Sequence, residues 1–306
     1  MSLSRISIYL KLFSLIIPFS SGAYPETTFP GMDIFISSAS LSMGGAGYLK
    51  PSPLSSDNNP STYGEEVFSA SIIKYPAGIA SQNIGISFLF KNNTFGKFSI
   101  NNISYGIFEG YNESLISTGT YSASDTKISA SYGKRILRLP IKLGVRSSFY
   151  LSNYEDYTVY MFSVSTGFSF RAKEQKFTLG MSIHNLATSL NSSDLAVDLH
   201  PKLVISGLKK LKHLPLSLFL DVTSENSSDL TAFIGGEFDI SKNFQFRIGS
   251  SNRKFNQNIK KNIFSSVTGA SGFGFGYKKK DILINYSMYM FGTGALSQGI
   301  EINIAI

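Results

Sequence analysis

A histidine beside a hydroxyl and a carboxamide is equipment for acyl hydrolysis, because the imidazole can take the proton of an attacking serine. The chain carries three His and no Cys. His184 is followed by Asn185, with Ser189, Ser192 and Ser193 a few residues on. On a strand, however, neighbours i and i+1 point to opposite faces, so His184 and Asn185 cannot serve one site. No serine is held in hydrogen-bond reach by this spacing, and His184 reads as a hydrogen-bonded polar filler. His200 and His213 fall at the starts of two different segments and do not read as joint metal ligands. The glycines of Met43-Gly44-Gly45-Ala46-Gly47 do not follow a strand or open a helix, which a phosphate-binding loop requires. The expectation is a protein with no catalytic residue, no metal and no cofactor.

What would position any polar group here is a long series of strands. Fourteen candidates lie near 66–75, 82–91, 95–106, 124–134, 140–152, 157–171, 175–184, 200–211, 214–222, 230–240, 243–252, 266–278, 281–290 and 298–306. The connections after odd strands are mostly long and polar (107–123, 185–199, 223–229, 253–265, 291–297). Those after even strands are short (92–94, 172–174, 212–213, 241–242, 279–280). Outer-membrane barrels have that asymmetry, with tight turns on one side of the membrane and longer loops on the other. Several segments also alternate. Ile141, Leu143, Val145 and Phe149 oppose Lys142, Gly144, Arg146 and Ser148, and the chain closes with Ile300, Ile302, Ile304 and Ile306 against Glu301, Asn303 and Ala305. The segments near 66–75, 95–106 and 200–211 alternate poorly. The fold expected is all-β: an antiparallel transmembrane β-barrel of the outer-membrane type, about 14-stranded, with an N-terminal plug segment. A soluble secreted β-protein is the competing class, and it would leave strands that cannot close.

Composition agrees with an envelope protein. Charged residues are 16% of 306, below the roughly 25% of soluble domains, and sixteen Tyr and twenty-five Phe offer an aromatic girdle without Trp. Residues 1–23 read as a signal peptide: Arg5 and Lys11, an apolar run from Leu12 to Phe19, then Ser21-Gly22-Ala23. Residues 66–306 would form the barrel. Residues 24–65, rich in Ser, Gly and Pro, have no periodicity. They fit a plug in the barrel, where irregular backbone is tolerated, or a tail beneath it; the plug is preferred.

The net charge is +8. Many cations cluster at the short turns, among them Lys134, Arg135, Arg171, Lys209, Lys210 and Lys278. Lipid phosphates attract such a rim, and outer-membrane lipid and lipopolysaccharide are the partners it implies, the latter through Arg253, Lys254, Lys260 and Lys261. Nucleic acid would suit the charge, but the compartment argues against it. Glu237 and Arg247 face each other across a hairpin centred near Lys242, a lumen pair of structural role.

Two N-terminal patterns, Met43-Gly44-Gly45 and Asn59-Pro60, resemble the start of the PorV/PorQ family. Gly119-Thr120-Tyr121-Ser122-Ala123-Ser124-Asp125, the Lys209–Pro215 turn, Gly236-Glu237-Phe238, and Gly272-Phe273-Gly274-Phe275-Gly276 resemble PorQ-like stretches in the same order. Pro60 is followed by Ser61 where the family usually has Ala. The family is related in fold to the long-chain fatty-acid transporter barrels, whose N-terminus plugs the lumen. The resemblance implies a component of type IX protein secretion, anchoring a PorZ-like surface partner beside PorV and PorU. It makes Met43, Gly44, Gly45, Asn59 and Pro60 a plug motif. For surface docking, the aromatic residues Tyr111, Tyr154, Tyr157, Phe264 and Phe291 of the long connections are the candidates. The alternative function is an outer-membrane channel for hydrophobic compounds of the fatty-acid transporter type.

Overall fold

A computed structural model describes residues 35–306 apart from 55–57, 113, 115, 137–138, 155–156, 173, 175, 191–199, 225–229, 258–267 and 292–293. The expected signal peptide, residues 1–23, lies outside the described residues.

Fourteen antiparallel strands close into one barrel, each hydrogen-bonded to its neighbours in sequence. They are β1 Val67–Lys74, β2 Ala80–Phe90, β3 Thr94–Tyr111, β4 Ser117–Ile136, β5 Ile141–Tyr154, β6 Tyr157–Ala172, β7 Phe177–Ser189, β8 Lys202–Lys210, β9 Leu216–Ser224, β10 Leu230–Asp239, β11 Phe244–Ser251, β12 Ser271–Lys279, β13 Ile282–Met290 and β14 Leu296–Ala305. β1 pairs with β14 from Val67↔Ala305 to Lys74↔Gln298. No strand edge is then left in the lipid, which a membrane-spanning sheet requires.

The period-2 pattern sorts side chains to the two faces. On β14, Ile300, Ile302 and Ile304 are exposed outward while Ser297 and Glu301 are buried inward. On β5, Leu143 and Val145 face out, and Arg146, Ser148 and Ser152 face in. The outward residues form the lipid-facing surface. The inward ones are mostly Ser, Asn and charged.

The three poorly alternating segments are strands, and each has a reason for the blurred pattern. The inward row of β1 mixes buried Ser69 and Ser71 with the fully buried Ile73, while Phe68 and Ile72 face out. In β8, Val204 and Leu208 point inward and pack there, beside outward Ile205. β3 changes phase at a bulge between Ser104 and Gly106, where Gly106 has φ 102°; an extra residue in one strand flips the faces beyond it.

The long polar loop expected over 107–123 is corrected. Most of it extends β3 and β4, which pair as far as Tyr111↔Ser117. Its Ser, Thr and aromatic residues are good strand formers, and the true connection is residues 112–116, closed by Asn112 N–H donating to the Ile116 carbonyl at 3.0 Å. β2 accompanies β3 only to Ser104, so this hairpin stands above the β1–β2 rim. β4 has 20 residues, about twice the 9–11 needed to span a bilayer.

Candidate functional site

The inward groups converge on residues 35–64. A short helix, α1 (Ser38–Ser42), begins this stretch, its first turn capped by the Ser37 hydroxyl, which accepts from Ser40 N–H at 3.1 Å. Leu41 is fully buried among Ile73, Ala270 and Tyr289, with Phe35 packed alongside. Met43 and Ala46 pack on Phe219 and Phe233. Beyond the rim, Tyr75 donates to the Phe35 carbonyl at 2.8 Å, and burial pushes its phenol above the usual range.

Polar contacts fix the stretch to opposite walls. On one side, Ser38 N–H donates to Glu301 at 2.8 Å and Gly47 N–H to Asp221 at 2.7 Å. Lys50 pairs with Glu237. On the other side, the Asn59 amide donates to the carbonyls of Phe168 (2.9 Å) and Met181 (3.1 Å). Arg146 donates to the Asn58 carbonyl at 2.7 Å, and Lys97 to the Thr62 hydroxyl at 3.0 Å. Contacts with β14, β9 and β10 at one end and with β6, β7, β5 and β3 at the other mean that the stretch runs across the lumen.

Glycines make the close approach possible. Gly44 (φ 63°) and Gly45 (φ 98°) hold a backbone shape that other residues resist. A Cβ on Gly249 would fall on the Met43 carbonyl, and one on Gly272 on the Leu41 carbonyl. Across the lumen, a Cβ on Gly144 would meet the Pro60 carbonyl, and one on Gly167 the Asn59 side chain. Met43-Gly44-Gly45 and Asn59-Pro60 therefore each lie on a bare patch of wall.

Glu237 and Arg247 stand opposite each other in register and pair at 2.5 Å. Arg247, only 1% exposed, also donates to Asn285 at 2.8 Å and Gln245 at 2.6 Å. Asn285 passes its amide to Glu301 at 3.2 Å. The result is one chain of polar contacts, Lys50–Glu237–Arg247–Asn285–Glu301–Ser38, joining the crossing stretch to the wall at two points. Asp221, buried on β9, was not singled out from sequence. Its position on the inward face of an alternating strand was the only signal.

The described docking aromatics lie on three hairpins, β3–β4, β5–β6 and β13–β14. Tyr111 is 56% exposed on the β3–β4 hairpin and donates to Glu109 at 2.6 Å. Tyr154 stacks on Tyr105 at 6.2 Å and donates to Asp125 at 3.2 Å. Tyr157 sits opposite Tyr154 in the β5–β6 register. Phe291 packs edge-on against Tyr289, 4.9 Å away, inside the Leu41 cluster. Phe264 lies outside the described residues, as do Lys260 and Lys261. Arg253 lies over the inward Phe233 ring at 5.6 Å.

His184 is buried and shares a 2.8 Å hydrogen bond with Ser182. Among the described residues, no three His, Cys, Asp or Glu side chains are grouped to hold a metal.

The sequence matches no protein-family model and no curated protein. Solved structures do match. CymD, a monoaromatic hydrocarbon channel, superposes with a TM-score of 0.58 at 9% identity over 89% of this chain and 97% of that one. The toluene transporter TodX of P. putida gives a TM-score of 0.55 at 9% identity, over 88% of this chain and 98% of that one. Identity this low speaks for the fold alone. With the closed barrel and its apolar outer face, the likeness makes this chain a fourteen-stranded barrel of the outer membrane.

Proposed function

We propose that the barrel is a channel admitting small hydrophobic compounds across the outer membrane, with residues 35–64 acting as the plug that closes its lumen at rest. The observation that carries this reading is the stretch crossing the lumen from wall to wall. At the loop end, the inward side chains include apolar Ile73, Ile103, Tyr150, Val159, Met161 and Tyr289, all buried, beside Asp125 and Lys127. Apolar inward side chains suit an apolar ligand. The β3 bulge at Ser104–Gly106 lies where β2 stops pairing, so the wall is weakest beside it, and a compound could leave or enter sideways there. The fold shared with TodX and CymD supports the same reading.

The test is uptake. Expressed in a host with an intact outer membrane and no hydrocarbon channel of its own, the protein should raise initial uptake of radiolabelled toluene several-fold. Uptake equal to the empty-vector control would contradict it.

A second reading, an attachment barrel of type IX secretion, rests on the PorV/PorQ resemblance. It is favoured by the β3–β4 hairpin, which carries exposed Ile107 and Tyr111 above the rim. Affinity purification from the native envelope would then recover a PorZ-like surface protein with PorV or PorU, and this recovery would depend on residues 105–123.

A further inference from the structure

Charge is unevenly placed in the lumen. Of the inward acids, Asp125 lies on β4 toward the loop end, while Asp221, Glu237 and Glu301 lie on β9, β10 and β14 and are engaged by the crossing stretch. Among the described residues, the charged inward side chains at the turn end of β3–β6 are all cations. Arg135 stands directly opposite Lys142 in the β4–β5 register. Four residues further in, Lys97, Ser131 and Arg146 form one row.

Like charges placed directly opposite destabilise a sheet. Lys97, Arg135, Lys142 and Arg171 have no ion-pair partner among the described residues. Residues 58–64 cover this wall, yet they bring no acid. They bring the Asn58 carbonyl to Arg146, the Thr62 hydroxyl to Lys97, and the Tyr63 ring to Lys142, 4.1 Å from its ammonium. The Thr62 hydroxyl and the Tyr63 ring face position Lys97 and Lys142 without cancelling their charge. Arg135 and Lys142 are half-buried and open toward the turn-end mouth.

We propose that this wall is a binding site for a multiply charged oxyanion of the phosphate class, gripped by Arg135 and Lys142, with Lys97 and Arg171 supplying the surrounding positive field. A guanidinium fork beside an ammonium point charge suits phosphate oxygens. Several uncancelled cations favour two or more negative charges over one. The same chemistry belongs to a soluble phosphate compound and to a phosphate headgroup entering from the periplasmic leaflet.

The experiment is calorimetric titration of the detergent-purified full chain with inorganic pyrophosphate, then with dodecyl phosphate. Pyrophosphate should bind, more weakly as salt rises. The R135Q/K142Q variant, checked for a folded barrel by its heat-dependent gel mobility, should lose roughly tenfold in affinity or more. Lys210→Gln, a turn-end charge outside the cluster, should bind as the wild type does. Displacement of pyrophosphate by dodecyl phosphate at lower concentration assigns the site to a lipid headgroup; failure to displace it assigns a soluble anion. No pyrophosphate binding by the wild type, equal binding by R135Q/K142Q, or an equal loss in Lys210→Gln would overturn the proposal.

Discussion

Arg247→Met should destabilise the folded barrel by about 1–3 kcal/mol for each buried acceptor it leaves without a donor. Arg247 is nearly inaccessible and holds Glu237, Asn285 and Gln245 at once. Without it, Glu237 keeps Lys50 alone, and the Asn285 carbonyl loses its donor. Denaturant unfolding of the protein in detergent or vesicles, followed by far-UV circular dichroism, measures the loss. The double variant Glu237→Gln, Arg247→Met should recover none of it, because Lys50 is then left without its carboxylate. A single variant as stable as wild type would mean that water in the lumen already solvates these groups.

Gly249→Leu should have the second large effect, and on the crossing stretch more than on the barrel. The added Cβ meets the Met43 backbone, which has no rotamer by which to give way. Overpacking ordinarily costs about 1–3 kcal/mol, and here it falls on contacts that hold the crossing stretch to the wall. β11 pairing needs no change, because the added side chain points into the lumen and not along the ladder. The stretch should detach while the barrel persists. Limited proteolysis would then cut within residues 35–64 many times faster than in wild type, with barrel mobility on a gel unchanged. Gly144→Leu should do the same from the opposite wall through Pro60.

Barrel class and strand number were legible because a lipid-facing row must be apolar and the lumen row need not be. Ile300, Ile302 and Ile304 against Glu301 carry that signal in a few residues. The length of β3 and β4 was not legible. A hairpin standing above the rim is wet on much of its surface, so Ser117–Ser122 reads as loop although it pairs. Glu237 and Arg247 could be placed opposite each other by counting from a short turn. The partners of Met43–Gly45 and Asn59–Pro60 could not, because glycines at 249, 272, 144 and 167 come close to them only once the sheet has closed. The cations of β3–β6 were visible as single charges near turns. That Arg135 and Lys142 share the inner face, apart from the outward Lys134, follows from register alone.

The measurement that tests the account most directly is ion conductance in planar lipid bilayers, comparing the full chain with a variant lacking residues 35–64. Both must first show the gel mobility of a folded barrel. The account predicts an almost silent full-length protein and steady, open pores from the shortened one. Equal conductance from the two would contradict a lumen closed by this stretch.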